Sequence, residues 1–355
     1  MATTFLQRVL LPPDYGWERD GEFYRPTTRE IMSCWIGRMN IFKTKKSWLA
    51  FSGWFFPLML TPFVYVFFAH YFNWTRVVIG FLYAMVALGT VNIVWLHRYC
   101  THRAFKFSHP IYAFIIRNLT LRIVPEEAYV VSHHVHHAFS EKAGDPYNAY
   151  GGRLYCFLAG ELHQPIARDL SPTDYDKVVA MLTHTGLIPN TYEQYQEWGT
   201  VTNPWRTYAH YFLNWAFWYG ALYLMGGHGL AVTIFAWSTL WAMGIRDFNY
   251  DSHGAGKDRR KEGVDFNRRD LSINQLFAGT VSGEWHNNHH LYPAGVRSGF
   301  LWWQIDTAYI LIRIVKLFGG IKSQRDFKEL FLEQHYRPWL ASKRAEAEKK
   351  LSSTA

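Results

Sequence analysis

Charge and apolarity are segregated along this chain. No Asp, Glu, Lys or Arg occurs between Ser47 and Thr75, between Val77 and Leu96, or between Thr207 and Ile245. A helix that crosses a bilayer needs about 20 mostly apolar residues, so the first two stretches each hold one span and the third holds two. The expected spans are about 48–68, 77–96, 208–225 and 230–245. Soluble helices average about 11–12 residues and keep a polar face. The segment WLAFSGWFFPLMLTPFVYVFF has no such face. The pattern predicts an all-α integral membrane protein with four transmembrane helices and a helical cytoplasmic cap.

The links between spans set the topology. AHYFNWTR joins the first pair and the small turn Gly226–Gly229 joins the second, and both are nearly free of charge. Basic residues crowd the opposite side. By the positive-inside rule that side is cytoplasmic, as are both termini. Residues 1–46 form a cytoplasmic arm and 47–335 the membrane domain, with its cap in 98–206 and 246–335. Residues 336–355 form a charged tail, expected to be frayed or disordered. Within the cap, HPIYAFIIRNLTLRIV is too short and too interrupted by Arg117 and Arg122 to span, and reads as an interfacial or re-entrant helix.

Composition changes this picture little. Of the 355 residues 18% are aromatic, with 16 Trp and 26 Phe, which suits a membrane protein. The slightly negative mean hydropathy averages over segments of opposite character. The net charge of +9 suits anionic lipid better than nucleic acid, because Lys43, Lys45 and Lys46 directly precede the first span. Cys34, Cys100 and Cys156 are odd in number and scattered, which suggests neither a disulfide framework nor a thiolate metal site. The first 20 residues lack the apolar core of a secretory signal.

The chemistry lies in the histidines. His97 and His102 stand in HRYCTH, His133, His136 and His137 in HHVHH, His253 in NYDSH, and His286, His289 and His290 in HNNHH. Nine imidazoles are too many for one ion and suit two. In His-x-x-His-His the ligands fall at i, i+3 and i+4, within about 100 degrees on one helix face. His-x4-His turns through about 500 degrees, so His97 and His102 cannot share a face of a straight α-helix. Either the helix unwinds after Leu96 or the two serve different metals. The topology brings all nine to the cytoplasmic side. His134 breaks the box-two spacing and reads as a neighbour that does not bind metal.

These motifs resemble the membrane fatty acyl desaturases of the stearoyl-CoA desaturase family. HRYCTHRAFKFSHP is similar to the family's first box, HHVHHAFSEKAGDPYN to its second, GEWHNNHHLYP to its third, and NYDSH to its Asn-x-x-x-His element. The resemblance covers most of the chain from about Trp48 to Asp326. It implies that the nine histidines hold two irons, with Asn249 acting through a bound water. It also implies an O2-dependent fatty acyl desaturase, of the Δ9 type, that forms a cis double bond in a chain carried on CoA or another carrier. Histidine ligands need acceptors on their second nitrogen, for which Asp145, Asp251 and Glu284 are candidates. Trp95, Phe81, Trp237 and Trp241 are candidates for lining an acyl tunnel. No haem-binding motif follows box three, so two electrons are expected from a separate ferredoxin, rubredoxin or cytochrome b5 with its reductase. The basic residues Lys257, Arg259, Arg260, Lys261, Arg268 and Arg269 could meet such an acidic donor, or else lipid phosphates or the substrate's carrier.

Two other functions use related residues. A membrane hydroxylase or acetylenase would employ the same two-iron chemistry on an alkyl chain. A bis-histidine haem protein or a metal transporter would place its ligands near mid-membrane, whereas the spans' own histidines, His70, His210 and His228, lie near span ends.

Overall fold

The computed structural model describes residues 4–162, 166–253 and 285–353. They are mostly helical, with two short two-stranded sheets. Three helices are long and apolar enough to cross a membrane: Lys45–Tyr71, Trp74–Thr101 and Pro204–Ser252. Their starts are capped as their sequences dictate. Thr44 accepts from Lys46 N at 3.2 Å, and Asn73 accepts from Arg76 N at 2.8 Å. Asn203 accepts from Trp205 N and Arg206 N, with Pro204 at the first helical position.

The third helix is 49 residues long and would measure about 74 Å if straight. It is not straight. Gly226 (φ −156°) and Gly227 (φ +69°) leave helical geometry, the second in the left-handed region that favours glycine. The limbs on either side fold back on each other. Tyr219 hydrogen-bonds with His228 at 2.9 Å, and its ring centroid lies 5.5 Å from that of Phe235. A straight helix would hold residues 219 and 235 about 24 Å apart. The expected turn at Gly226–Gly229 is therefore a break within one long helical element.

The apolar helices pack into a core around Phe56, Leu60, Leu88, Tyr211, Phe235 and Trp241. Their outer faces remain bare: Leu58, Phe68, Val78, Leu213, Phe217 and Leu224 are all exposed. An uncovered apolar surface of this extent suits lipid rather than water. A second core, containing Trp95, Leu96, Val130, Val131, Val296 and Ile312, joins the end of the second apolar helix to the polar segments. The strand Phe105–Phe107 pairs antiparallel with Ile321–Gln324 and ties the segment after that helix to the C-terminal region.

The segment 337–353, expected to be frayed, is helical. Ala, Glu, Lys and Arg favour helix, and Lys343 pairs with Glu346 at 2.8 Å. The interfacial segment forms the short helix Pro110–Asn118, capped by His109, whose Nδ1 accepts from Ile111 N at 3.2 Å.

Candidate metal centre

Box one closes the second apolar helix, and local geometry resolves the spacing problem posed by His97 and His102. Residues Ile93–Thr101 form a π-helix, and His102 N donates to His97 O at 3.0 Å, an i→i+5 bond. In a π turn, residues five apart fall about one turn apart. The helix widens instead of unwinding, and both imidazoles reach the same place.

Box two lies on the helix Glu126–Phe139 and box three on the six-residue helix His286–Leu291. His253 caps the C-terminal end of the long apolar element. The nine imidazoles form two groups, in each of which the ligand nitrogens lie within 4.8 Å of one another. His97, His102, His133, His137 and His289 make the first. His136, His253, His286 and His290 make the second. The groups adjoin, with the rings of His137 and His290 stacked 4.5 Å apart. Neither box serves a single group: the i and i+4 residues go one way and the i+3 residue goes the other.

The nitrogens converge closely. Nε2 atoms are separated by 3.0 Å (His97–His289), 2.9 Å (His289–His137) and 3.1 Å (His137–His133) in the first group. In the second they are 2.8 Å (His253–His286) and 3.0 Å (His286–His290) apart. Two nitrogens about 2.1 Å from one ion and at right angles to each other stand about 3.0 Å apart. Nε2 of His102 and Nε2 of His136 are buried with no hydrogen-bond partner among the described residues, so their lone pairs are left for a cation. Burial first, then neighbouring imidazoles, holds His102, His133, His286, His289 and His290 well below the usual imidazole pKa, and His137 down to about 2. Neutral imidazole is the form that binds metal. Both groups fit a transition metal.

Carboxylates stand behind the second group. Asp145, fully buried, faces His136 Nδ1 at 2.8 Å. Glu141, which sequence reasoning passed over, faces His253 Nδ1 at 3.1 Å. Its only signal was its place between box two and the Asp-Pro that follows. Asp251 accepts from His253 N through its backbone O, but its carboxylate faces no imidazole of either group among the described residues; its charged neighbours are Asp247 and Arg153. Glu284 lies outside the described residues, as do Lys257, Arg259, Arg260, Lys261, Arg268 and Arg269. His134 belongs to neither group. Burial and then Arg103 lower its pKa to about 4.

A buried ion pair braces the first group. Arg98, next to His97, donates to both carboxylate oxygens of Asp306 at 2.9 Å and to Val296 O at 2.6 Å. Asp306 also accepts from Ser298 N and Gly299 N. Box one is thereby fastened to the segment that follows box three.

A cavity of about 170 Å³ reaches both groups. His97 and His133 of the first and His286 of the second line it, together with Asn249 and Trp241. Leu49, Ile93, Ile123 and Ile245 make much of the rest apolar. Trp95 lines a smaller adjoining recess that shares Asn92, Leu96, Ile123 and Val124 with this cavity. Phe81 and Trp237 do not line it. Their rings meet edge-on at 6.0 Å, and a Cβ at Gly80 would stand 2.0 Å from Trp237. These two aromatics pack the second apolar helix against the third, since a large ring opposite a glycine fills a close helix crossing.

Residues 72–314, which include all nine histidines, match the fatty acid desaturase family. The chain belongs to that family of lipid-metabolising oxidoreductases. It is 27% identical over 257 residues to the icosanoyl-CoA 5-desaturase of Limnanthes douglasii, covering 70% of this chain and 65% of that protein. It is 28% identical over 258 residues to the acyl-CoA C20 Delta5-desaturase of Anemone leveillei, covering 70% of this chain and 73% of the relative. The hex-5-enoyl-[acyl-carrier protein] acetylenase of Moorena producens is 28% identical over 261 residues, covering 67% of this chain and 74% of the relative. The match to the first of these spans just under two thirds of that relative's length.

Proposed function

We propose that this protein is an O2-dependent fatty acyl desaturase that introduces a cis double bond, of the Δ9 type, into a saturated acyl chain. The observation that carries this reading is the largely apolar cavity bounded by imidazoles of both groups. An alkyl chain lying there would pass both metals at once. Two irons bound to the nine histidines would supply, with O2 and two external electrons, the oxidising power to remove hydrogens from unactivated methylenes.

The chain's own residues supply placement. The apolar wall excludes water from the reacting carbons. Trp241 borders the cavity on the side of the long apolar element, and Asn249 lines the same cavity as His286, a place suited to hold a water for the second group. Asp145 and Glu141 orient the imidazoles they face, which puts the metal-binding lone pair of each on Nε2.

The break at Gly226–Gly227 supports four membrane crossings, one for each limb of the long element and one for each of the other two apolar helices. The excess of Lys and Arg outside the two short turns supports termini and metal centre on the cytoplasmic side. Electrons come from a separate ferredoxin, rubredoxin or cytochrome b5 with its reductase. The relatives' names include both CoA and acyl-carrier-protein substrates, so the carrier is open to test.

Expression in a desaturase-deficient host, with mass spectrometry of derivatised fatty acids, tests the reading. A new cis double bond at carbon 9 is the expected product. A new alkyne or alcohol would favour the acetylenase or hydroxylase reading, for which the similarity to the acetylenase is the specific support. Full activity with one zinc and no iron would overturn the two-iron centre.

A further inference from the structure

The loop after box two contains a residue in an unusual conformation. Glu141 has φ +62°, in the left-handed region that a side chain with a Cβ rarely adopts. Its backbone is held there by a neighbour: Glu141 N donates to Asp145 Oδ2 at 2.7 Å. The other carboxylate oxygen of Asp145 faces His136 Nδ1 at 2.8 Å and accepts from Tyr147 N at 2.9 Å. From this backbone position Glu141 Oε1 reaches His253 Nδ1 at 3.1 Å.

His253 needs such support. It is the C-cap of the long apolar element, and its own backbone has already left helical geometry. Yet the ring is buried, with Nε2 2.8 Å from His286 Nε2. The chain of contacts His136–Asp145–Glu141–His253 ties the box-two helix to the end of the apolar helix through two carboxylates.

We propose that Glu141 is a positioning residue for the four-histidine group. Its carboxylate accepts from His253 Nδ1–H, which fixes the tautomer with the lone pair on Nε2. Its left-handed backbone, kept by Asp145, sets the reach of that carboxylate. The inference rests on the reading that the four-histidine group binds a metal.

The backbone conformation provides the test. If Glu141 merely shaped the loop, Glu141→Gly would be neutral or favourable, because glycine enters the left-handed region freely. Metal-stripped full-length protein in detergent is titrated with Co2+ and followed by its visible absorption spectrum. Iron content as purified and the melting temperature of the metal-free protein are measured alongside. Wild type is expected to take up two equivalents. Glu141→Gly should keep the melting temperature or raise it. One equivalent should keep its affinity, while the other weakens about 10–100-fold, the range for loss of a partner behind a ligand. Glu141→Gln, whose amide oxygen can still accept from Nδ1–H, should recover most of that loss.

The proposal is overturned if Glu141→Gly binds both equivalents as tightly as wild type. It is also overturned if both weaken equally while the melting temperature falls, since Glu141 would then hold the loop and not His253. Failure of wild type itself to bind metal would instead overturn the metal-centre reading on which the proposal stands.

Discussion

The five-histidine and four-histidine groups are built from the same two short helices, yet they are completed in different ways. Box two gives His133 and His137 to the larger group and His136 to the smaller, and box three does the reverse, with His289 to the larger and His286 and His290 to the smaller. On an α-helix, i and i+4 lie about 40 degrees apart while i+3 falls about 60 degrees to the other side of i. Each box helix therefore lies along the seam and faces both groups. The larger group is completed by box one at the close of the second apolar helix, with His97 inside the π turn and His102 as its C-cap, fixed by its backbone bond to His97 O. The smaller is completed by His253 at a helix end, steadied by carboxylates. Both groups thus take a ligand at a helix end, but the π turn ties His102 to the backbone at His97, whereas a side chain, Glu141, faces the ring of His253.

This difference can be broken most sharply by removing one ligand from each side. His290→Ala leaves three imidazoles in the smaller group, and activity should fall by more than about 100-fold, beyond what changes behind the ligands cost. His137→Ala leaves four in the larger group and should retain more of its metal. Iron analysis and turnover of the two variants check this, and equal losses would erase the distinction. Next in size is the brace on the larger group. Asp306→Ala strands the buried Arg98 charge and should cost about 3–5 kcal/mol of stability, read as a lowered midpoint in thermal or denaturant unfolding.

A change that strikes both groups alike serves as a control. Glu127, in the first turn of the box-two helix, accepts from Val201 N at 2.6 Å, from Thr202 N at 3.0 Å and from the Thr202 hydroxyl. Glu127→Ala leaves those donors buried and should cost about 1–3 kcal/mol, with both metals affected equally. Burial pushes the Glu127 carboxyl up from 4.5 to about 7. With its pKa raised in the folded state, its contribution is full below pH 4.5 and is lost as pH rises through about 7. The stability gap between wild type and variant should therefore narrow across that window, as unfolding at several pH values would reveal. The smallest effect is expected at Asn249. Asn249→Ala should weaken metal binding about tenfold, roughly 1.4 kcal/mol, in the smaller group alone. An equal effect on both groups in a Co2+ titration would remove Asn249 from the water-holding role.

Spacing and hydropathy made much of this legible beforehand. The charge-free stretches correspond to the three long apolar helices. The glycine turn was visible, although its form, a break inside one helical element, was not. Trp241 borders the cavity, whereas Phe81 and Trp237 meet edge-on where the second and third apolar helices cross. An aromatic on an apolar helix has the same hydropathy whether it lines a cavity or fills a helix crossing, and Gly80 opposite Trp237 decided the matter. Glu141 escaped notice because nothing in a loop sequence announces a left-handed backbone at a residue other than glycine.

What the sequence determined alone was therefore periodic or compositional: which segments are apolar enough for lipid, which short helices carry imidazoles at i, i+3 and i+4, and which family the motifs resemble. These depend on 1.5 Å of rise and about 100 degrees of turn per residue, quantities fixed by the backbone. Only the tertiary structure decided how each box divides between two groups, that a π turn brings His97 and His102 together, and that Asp145 and Glu141 stand behind His136 and His253. Those outcomes depend on how helices approach one another and on where helices end, and packing sets both.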